Sequence, residues 1–157
     1  MKEKICTFCG HRDSGGYLIN QIKSAIEDLI ENHGITTFYS GGMGNFDKMC
    51  ETAVRQAKHR YKYIKLYLVV PYMMKKLNTE REYYDMMYDR IIVPDLGDVH
   101  YMQAIGARNK WLVEHSDAML CCIVRRSGGA FKMYDYAKKR QTEKNALNIY
   151  TNNLTAE

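Results

Sequence analysis

The chain has 157 residues, 46% of them hydrophobic and 26% charged, with a formal net charge of +5. That length predicts one domain with a real core, and the basic balance favours anionic partners. No apolar run approaches the roughly 20 residues of a membrane span, and no apolar signal region follows Met1, so a cytoplasmic protein is expected.

Residues Ile5 to Cys9 read as a buried first strand, followed by the loop Gly10-His11-Arg12-Asp13-Ser14-Gly15-Gly16. Leu18, Ile22, Ala25, Ile26, Leu29 and Ile30 recur with helical spacing, and Gly34 is placed to cap that helix. Ile35 to Tyr39 is the second strand. It runs into Ser40-Gly41-Gly42-Met43-Gly44-Asn45-Phe46-Asp47, a glycine turn that opens a helix with Phe46, Met49, Cys50, Ala53, Val54 and Ala57 on one face. A strand, a glycine turn and a helix N-terminus in that order form an anion site, because backbone N–H groups and the helix dipole both favour negative charge there.

Ile64 to Val70 is the third strand, ended by Pro71. A short helix is expected near Asn78 to Glu82, and a fourth strand over Arg90 to Val93. A helix from about His100 to His115 is predicted to turn Met102, Ile105, Leu112 and Val113 inward, with Asn109 on the same line. Ala118 to Val124 is a continuously apolar fifth strand. Ser127-Gly128-Gly129-Ala130 is a second glycine turn, leading a last helix to about Glu143, and Leu147 to Tyr150 is a final strand. Strands alternating with helices argue for an α/β, Rossmann-like fold: a mostly parallel central sheet flanked by helices on both faces. One domain over residues 1–152 is expected, with a frayed tail over 153–157.

The five cysteines are an odd number without framework spacing. Cys6 and Cys9 form a CxxC, but strand positions three apart face opposite ways and no second pair completes a zinc site, so no metal is expected. The basic runs near Arg55 to Lys65 and Lys138 to Lys144 fit solvated helix C-termini. The same holds for His100 and His115, which read as surface or capping groups.

The loops after strands one, two and five all reach the same sheet edge, where ligands of such folds bind. Asp47 and Glu51, four apart, share a helix face near the glycine turn; one reading is a carboxylate pair for ribose hydroxyls or acid/base work, the other is helix-dipole stabilisation. Asn109, a polar group facing inward, reads as bonding locally to the neighbouring strand or loop, and Arg108 as reaching that edge to bind a phosphate. The chain has no Ser elbow, zinc-protease helix, Walker lysine or G-x-G-x-x-G after its first strand.

Three stretches resemble the SLOG superfamily, which includes the LOG phosphoribohydrolases, the DprA/Smf domain and YpsA-like proteins. They are Cys9-Gly10-His11-Arg12; Ser40-Gly41-Gly42-Met43-Gly44 through Asp47 and Glu51; and Arg108-Asn109 with Ser116-Asp117 and Ser127-Gly128-Gly129. The resemblance implies a nucleotide or nucleotide-derived ligand, such as a nucleoside monophosphate or an ADP-ribose-like signal. Gly10, His11, Ser40 and Ser127 then belong to the ligand site. Gly41, Gly42, Gly44, Gly128 and Gly129 hold phosphate, Arg12 and Arg108 neutralise it, and Asp47, Glu51 and Asn109 meet the rest. The LOG motif Pro-Gly-Gly-x-Gly-Thr-x-x-Glu is altered here: Phe131-Lys132 replaces Gly-Thr and Asp135 holds the glutamate position. Lys132 supplies charge in place of the lost backbone contacts. If the chain is an enzyme, the reaction is N-glycosidic hydrolysis, with Glu51, Asp135 and Arg108 as its catalytic candidates. The alternatives are a non-catalytic sensor or sequestering module, and DprA-like single-strand binding. No cofactor is expected; a homo-oligomer is, and the Tyr72 to Tyr88 region, rich in tyrosine and methionine, reads as core packing, as a cap on the cleft or as a dimer surface.

Overall fold

The computed structural model describes residues 2–142 and 149–154. Six strands form one sheet: β1 (Ile5–Gly10), β2 (Thr37–Ser40), β3 (Lys65–Val69), β4 (Arg90–Ile92), β5 (Ala118–Cys122) and β6 (Tyr150–Asn153). Their order is β4-β3-β2-β1-β5-β6, and every neighbouring pair is parallel. The helices are α1 (Ile19–His33), α2 (Gly44–Arg60), α3 (Lys76–Thr79), α4 (Arg81–Met87), α5 (Ala104–Glu114) and α6 (Gly128–Thr142), with 3-10 turns over Gly16–Leu18 and Tyr101–Gln103.

Parallel strands buried on both faces need apolar side chains in both directions, which is why β5 reads as an unbroken apolar run. On one face Cys6, Phe8, Phe38, Leu66 and Leu120 pack against α1 and α2. On the other, Cys9, Tyr39, Val69, Met119 and Cys121 pack against α5 and α6. Cys6 and Cys9 therefore lie on opposite sides of the sheet, as their spacing predicts. A third cluster joins Leu77 and Tyr84 of the short helices to Leu68 and Val70 at the β3–β4 end.

The chain builds outward from β1 to β4 and then returns to place β5 on the other side of β1. The crevice between the carboxyl ends of β1 and β5 is therefore the topological switch point, the expected ligand position in such a sheet. Two glycines bring the loops there into contact. A Cβ on Gly10 would stand 2.1 Å from the Phe46 ring, so the end of β1 lies directly on the first turn of α2. Gly44 has φ +84°, and a Cβ there would meet the Arg12 Cα at 2.6 Å. Asn45 N–H donates to the Arg12 carbonyl at 2.9 Å across the same contact.

Several predicted boundaries move. Gly34 caps α1 in the left-handed conformation as expected, at φ 68°. The second strand starts at Thr37, and the predicted short helix is two, α3 and α4. Met102 does not face inward; it lies in the 3-10 turn before α5, where the helical phase does not yet apply, and it is exposed. The final strand is Tyr150–Asn153 rather than Leu147 to Tyr150, so Asn153, predicted as frayed tail, pairs with Cys121. Leu147 lies outside the described residues. Among the described residues no helix is long and apolar enough to cross a membrane.

Candidate functional site

A cavity of about 340 Å³ opens at the β1–β5 crevice. Gly10, His11 and Arg12 line it from β1, Gly41, Met43 and Asp47 from the β2–α2 turn, and Arg108 and Asn109 from α5. Gly128, Gly129 and Arg125 close it from the β5 side. The strand-end loops that the sequence singles out thus meet in one place. The remaining predicted site residues lie elsewhere.

The first glycine turn is largely satisfied by its own side chains. Gly42 N–H donates to Ser40 Oγ at 3.0 Å, and Met43 N–H donates to Asp47 Oδ2 at 3.1 Å. Asn45 N–H is already bonded to Arg12. Two of the amides expected to cradle a phosphate, those of Gly42 and Met43, are therefore used to hold the turn itself. Ser40, Gly42 and Gly44 do not line the cavity.

Glu51 has the same inward, structural role. Ser40 Oγ donates to Glu51 Oε2 at 2.5 Å, while Arg55 at 3.1 Å and Tyr88 at 2.7 Å donate to Oε1. Arg55 also donates to the Met87 carbonyl and places its guanidinium 5.2 Å from the Tyr88 ring centre. Burial, and then the Glu51 carboxylate, push the Tyr88 phenol well above its usual range. This cluster ties β2, α2 and the end of α4 together, and none of its members lines the cavity. Asp135 lies on α6 and pairs with Lys139 at 2.8 Å. Neither Glu51 nor Asp135 lines the cavity.

Arg108 is the central group. It is 2% exposed, although the sequence pattern put Asn109 on the inner line. Nη1 donates to the carbonyls of Gly41 at 3.1 Å and Val69 at 2.8 Å. Nε donates to Asn109 Oδ1 at 3.0 Å, and among the described residues Nη2 reaches only the Met43 thioether, at 3.4 Å. Burial lowers its pKa and the Asp47 charge opposes that shift.

Asp47 is the one carboxylate lining the cavity among the described residues. Burial pushes its carboxyl up to about 7; the Met43 N–H and Arg108 pull it down, and Glu51 adds to the rise. The folded chain thus holds this proton more tightly than the unfolded chain, whose carboxyl titrates near 3.8. Raising the pH from about 4 through 7 therefore removes stability, by at most about 4 kcal/mol at 1.36 kcal/mol per unit. Asp47→Asn keeps an acceptor for Met43 N–H and is expected to lose that dependence. Urea midpoints at pH 4.5 and 8 test this, and parallel profiles for the two chains would refute it.

On the β5 side, α6 begins at Gly128, φ 90°. Its first-turn N–H groups make no bond to another segment among the described residues. Cys9 Sγ donates to the Ala130 carbonyl at 3.1 Å and anchors that turn to β1. Arg125 forms a two-pronged pair with Asp13, at 2.8 and 3.3 Å, across the mouth of the crevice. His11 Nε2 accepts the Val124 N–H at 3.2 Å. Ser127 is exposed and does not line the cavity. Lys132 lines a neighbouring groove of about 560 Å³ between α5 and α6, which shares Ile105, Asn109, Gly129 and Met133 with the cavity.

Met43, Arg125, Tyr88 and Arg55 are missing from the sequence-based site. Arg125 carried a legible signal, since it directly follows an apolar strand and precedes a glycine turn. Tyr88 carried none, being 37 residues from the carboxylate it meets.

Residues 2–155 match the sequence pattern of the YspA SLOG family. No curated protein matches the sequence. Among solved structures, DNA processing protein A from Helicobacter pylori, described for its single-stranded DNA binding mode, superimposes with a TM-score of 0.60 at 15% identity. The match covers 94% of this chain but only 64% of that one. At that identity the likeness is one of fold. The family match covers nearly the whole chain, and on it this α/β protein belongs to the YspA SLOG family.

Proposed function

We propose that the chain binds a phosphate-bearing, nucleotide-type ligand at the β1–β5 crevice, with the anionic group inward. Arg108 carries this reading. It is a fully buried guanidinium held by carbonyl, amide and thioether acceptors, with no carboxylate at ion-pair distance among the described residues. A buried charge without an ion-pair partner costs several kcal/mol in desolvation, and a phosphate in the cavity supplies that partner. Arg12, the His11 ring and the first turn of α6 add donors around the same space. The groove toward α5 and α6 gives the rest of the ligand room, between Ile105 and Met133, with Lys110 and Lys132 at its rim.

Binding without chemistry fits this geometry better than hydrolysis, because Glu51 and Asp135 stand away from the lining. The test is a thermal-shift and calorimetric screen with pyrophosphate, AMP, ADP, ADP-ribose and a short single-stranded oligonucleotide. At about 100 times its dissociation constant a true ligand stabilises the fold by about 2.7 kcal/mol. The expected result is a nucleotide hit with the ligand recovered unmodified. Free base in the recovered sample would replace sensing with hydrolysis, and a flat response to every compound would overturn the reading.

Single-stranded nucleic acid is a second reading, favoured by aromatic groups on the segments after β1, before α5 and at the start of α6. Tyr17 and Tyr101 are both largely exposed, and Arg126 sits 5.6 Å from the Phe131 ring centre. Oligonucleotide binding that falls steeply with salt, in the absence of a nucleotide hit, would put this reading first.

A further inference from the structure

His11 lines the cavity and is only 4% exposed. Its ring is fixed by the Val124 N–H, which points at Nε2 from the loop after β5. A nitrogen that accepts an N–H carries a lone pair, so the neutral ring must hold its proton on Nδ1. Nδ1 meets no hydrogen-bond partner among the described residues and is not fully enclosed, and the residue lines the cavity. The charges around the ring are Arg12, its neighbour in sequence, Arg125 from the β5 loop, and Asp13, which is paired with Arg125. We infer that His11 is a fixed, uncharged hydrogen-bond donor that presents Nδ1–H to an oxygen of the bound anion.

This rests on the anion reading of the cavity and adds a directional element to it. Arg108 and Arg12 attract any anion through distance, whereas a single N–H on a locked ring selects an acceptor oxygen at one place, as on a phosphate or pyrophosphate. Burial and the Arg125 charge both disfavour the imidazolium, with Asp13 opposing them. The ring therefore keeps its neutral N–H to lower pH than an ordinary histidine does.

Two measurements test the assignment on the full chain. Long-range nitrogen–proton correlation spectra of labelled protein should show His11 protonated on Nδ1, with a titration midpoint below that of an ordinary histidine. Pyrophosphate titration should then separate two variants. His11→Gln keeps an acceptor near the Nε2 position but removes the Nδ1 donor. It should bind pyrophosphate about tenfold more weakly while unfolding at the parent's temperature. His11→Asn keeps a donor near Nδ1 but loses the Val124 contact, so it should lose stability and retain more of the affinity. A ring protonated on Nε2, or a His11→Gln chain that binds pyrophosphate as tightly as a binding-competent parent, would overturn the role of His11 alone. A parent that binds neither pyrophosphate nor any nucleotide would overturn the anion site itself, and this inference with it.

Discussion

Arg108→Ala is expected to cost about 3–5 kcal/mol of stability and to abolish anion binding. Two effects combine. The substitution strips the donor from the half-buried carbonyl of Gly41 and the buried one of Val69, which belong to the turn after β2 and to the end of β3. It also leaves a void where a large, fully buried side chain stood. A Cβ on Gly41 would lie 3.1 Å from the guanidinium carbon, so the turn is packed directly on this group. Arg108→Lys keeps the charge but not the planar fork, and it should fall between parent and alanine. Urea unfolding with unchanged m-values reads the stability, and pyrophosphate titration reads the binding. An alanine variant as stable as the parent would remove Arg108 from the clamp; an alanine variant that binds normally would remove it from the anion site.

Glu51→Gln is the second large effect, expected at about 3 kcal/mol of destabilisation. The Glu51 side chain is 4% exposed and accepts from three side chains. Glutamine has one acceptor oxygen and a donor amide, so Ser40, Arg55 and Tyr88 cannot all keep their bonds. Arg55 is left as a partly buried cation without its carboxylate. The sequence-based role for Glu51, a group acting on a glycosidic bond, predicts a different pattern: unchanged unfolding midpoint, unchanged ligand affinity and lost base release. A Glu51→Gln chain of parental stability would exclude the clamp and restore that role.

The two carboxylates four residues apart show where sequence reasoning reaches its limit. Their spacing places them on one side of α2 near its first turn, and both are buried. The sequence does not say which of them meets the cavity. That is decided by Tyr88 and Arg55, which bond Glu51 away from the lining, while Asp47 lines the cavity with Arg108. Arg108 and Asn109 give the same lesson on α5. The apolar periodicity put Asn109 on the inner line, yet Arg108 is the buried member, because Val69 and Gly41 offer it carbonyls that no local pattern contains.

By itself the sequence determined the alternation of strands and helices, the unbroken apolar β5, the αL cap at Gly34 and the loops that carry the chemistry. These are local properties, set by hydrophobic periodicity and by the conformations glycine permits. The tertiary structure alone decided which of those loops keep free donors. The amides of Gly42 and Met43 are taken by Ser40 and Asp47, and that of Asn45 by Arg12, whereas the first turn of α6 lines the cavity. The physical reason is the strand order: by returning β5 to the side of β1, the chain joins Arg108 to a carbonyl 67 residues away and His11 to an amide 113 residues away.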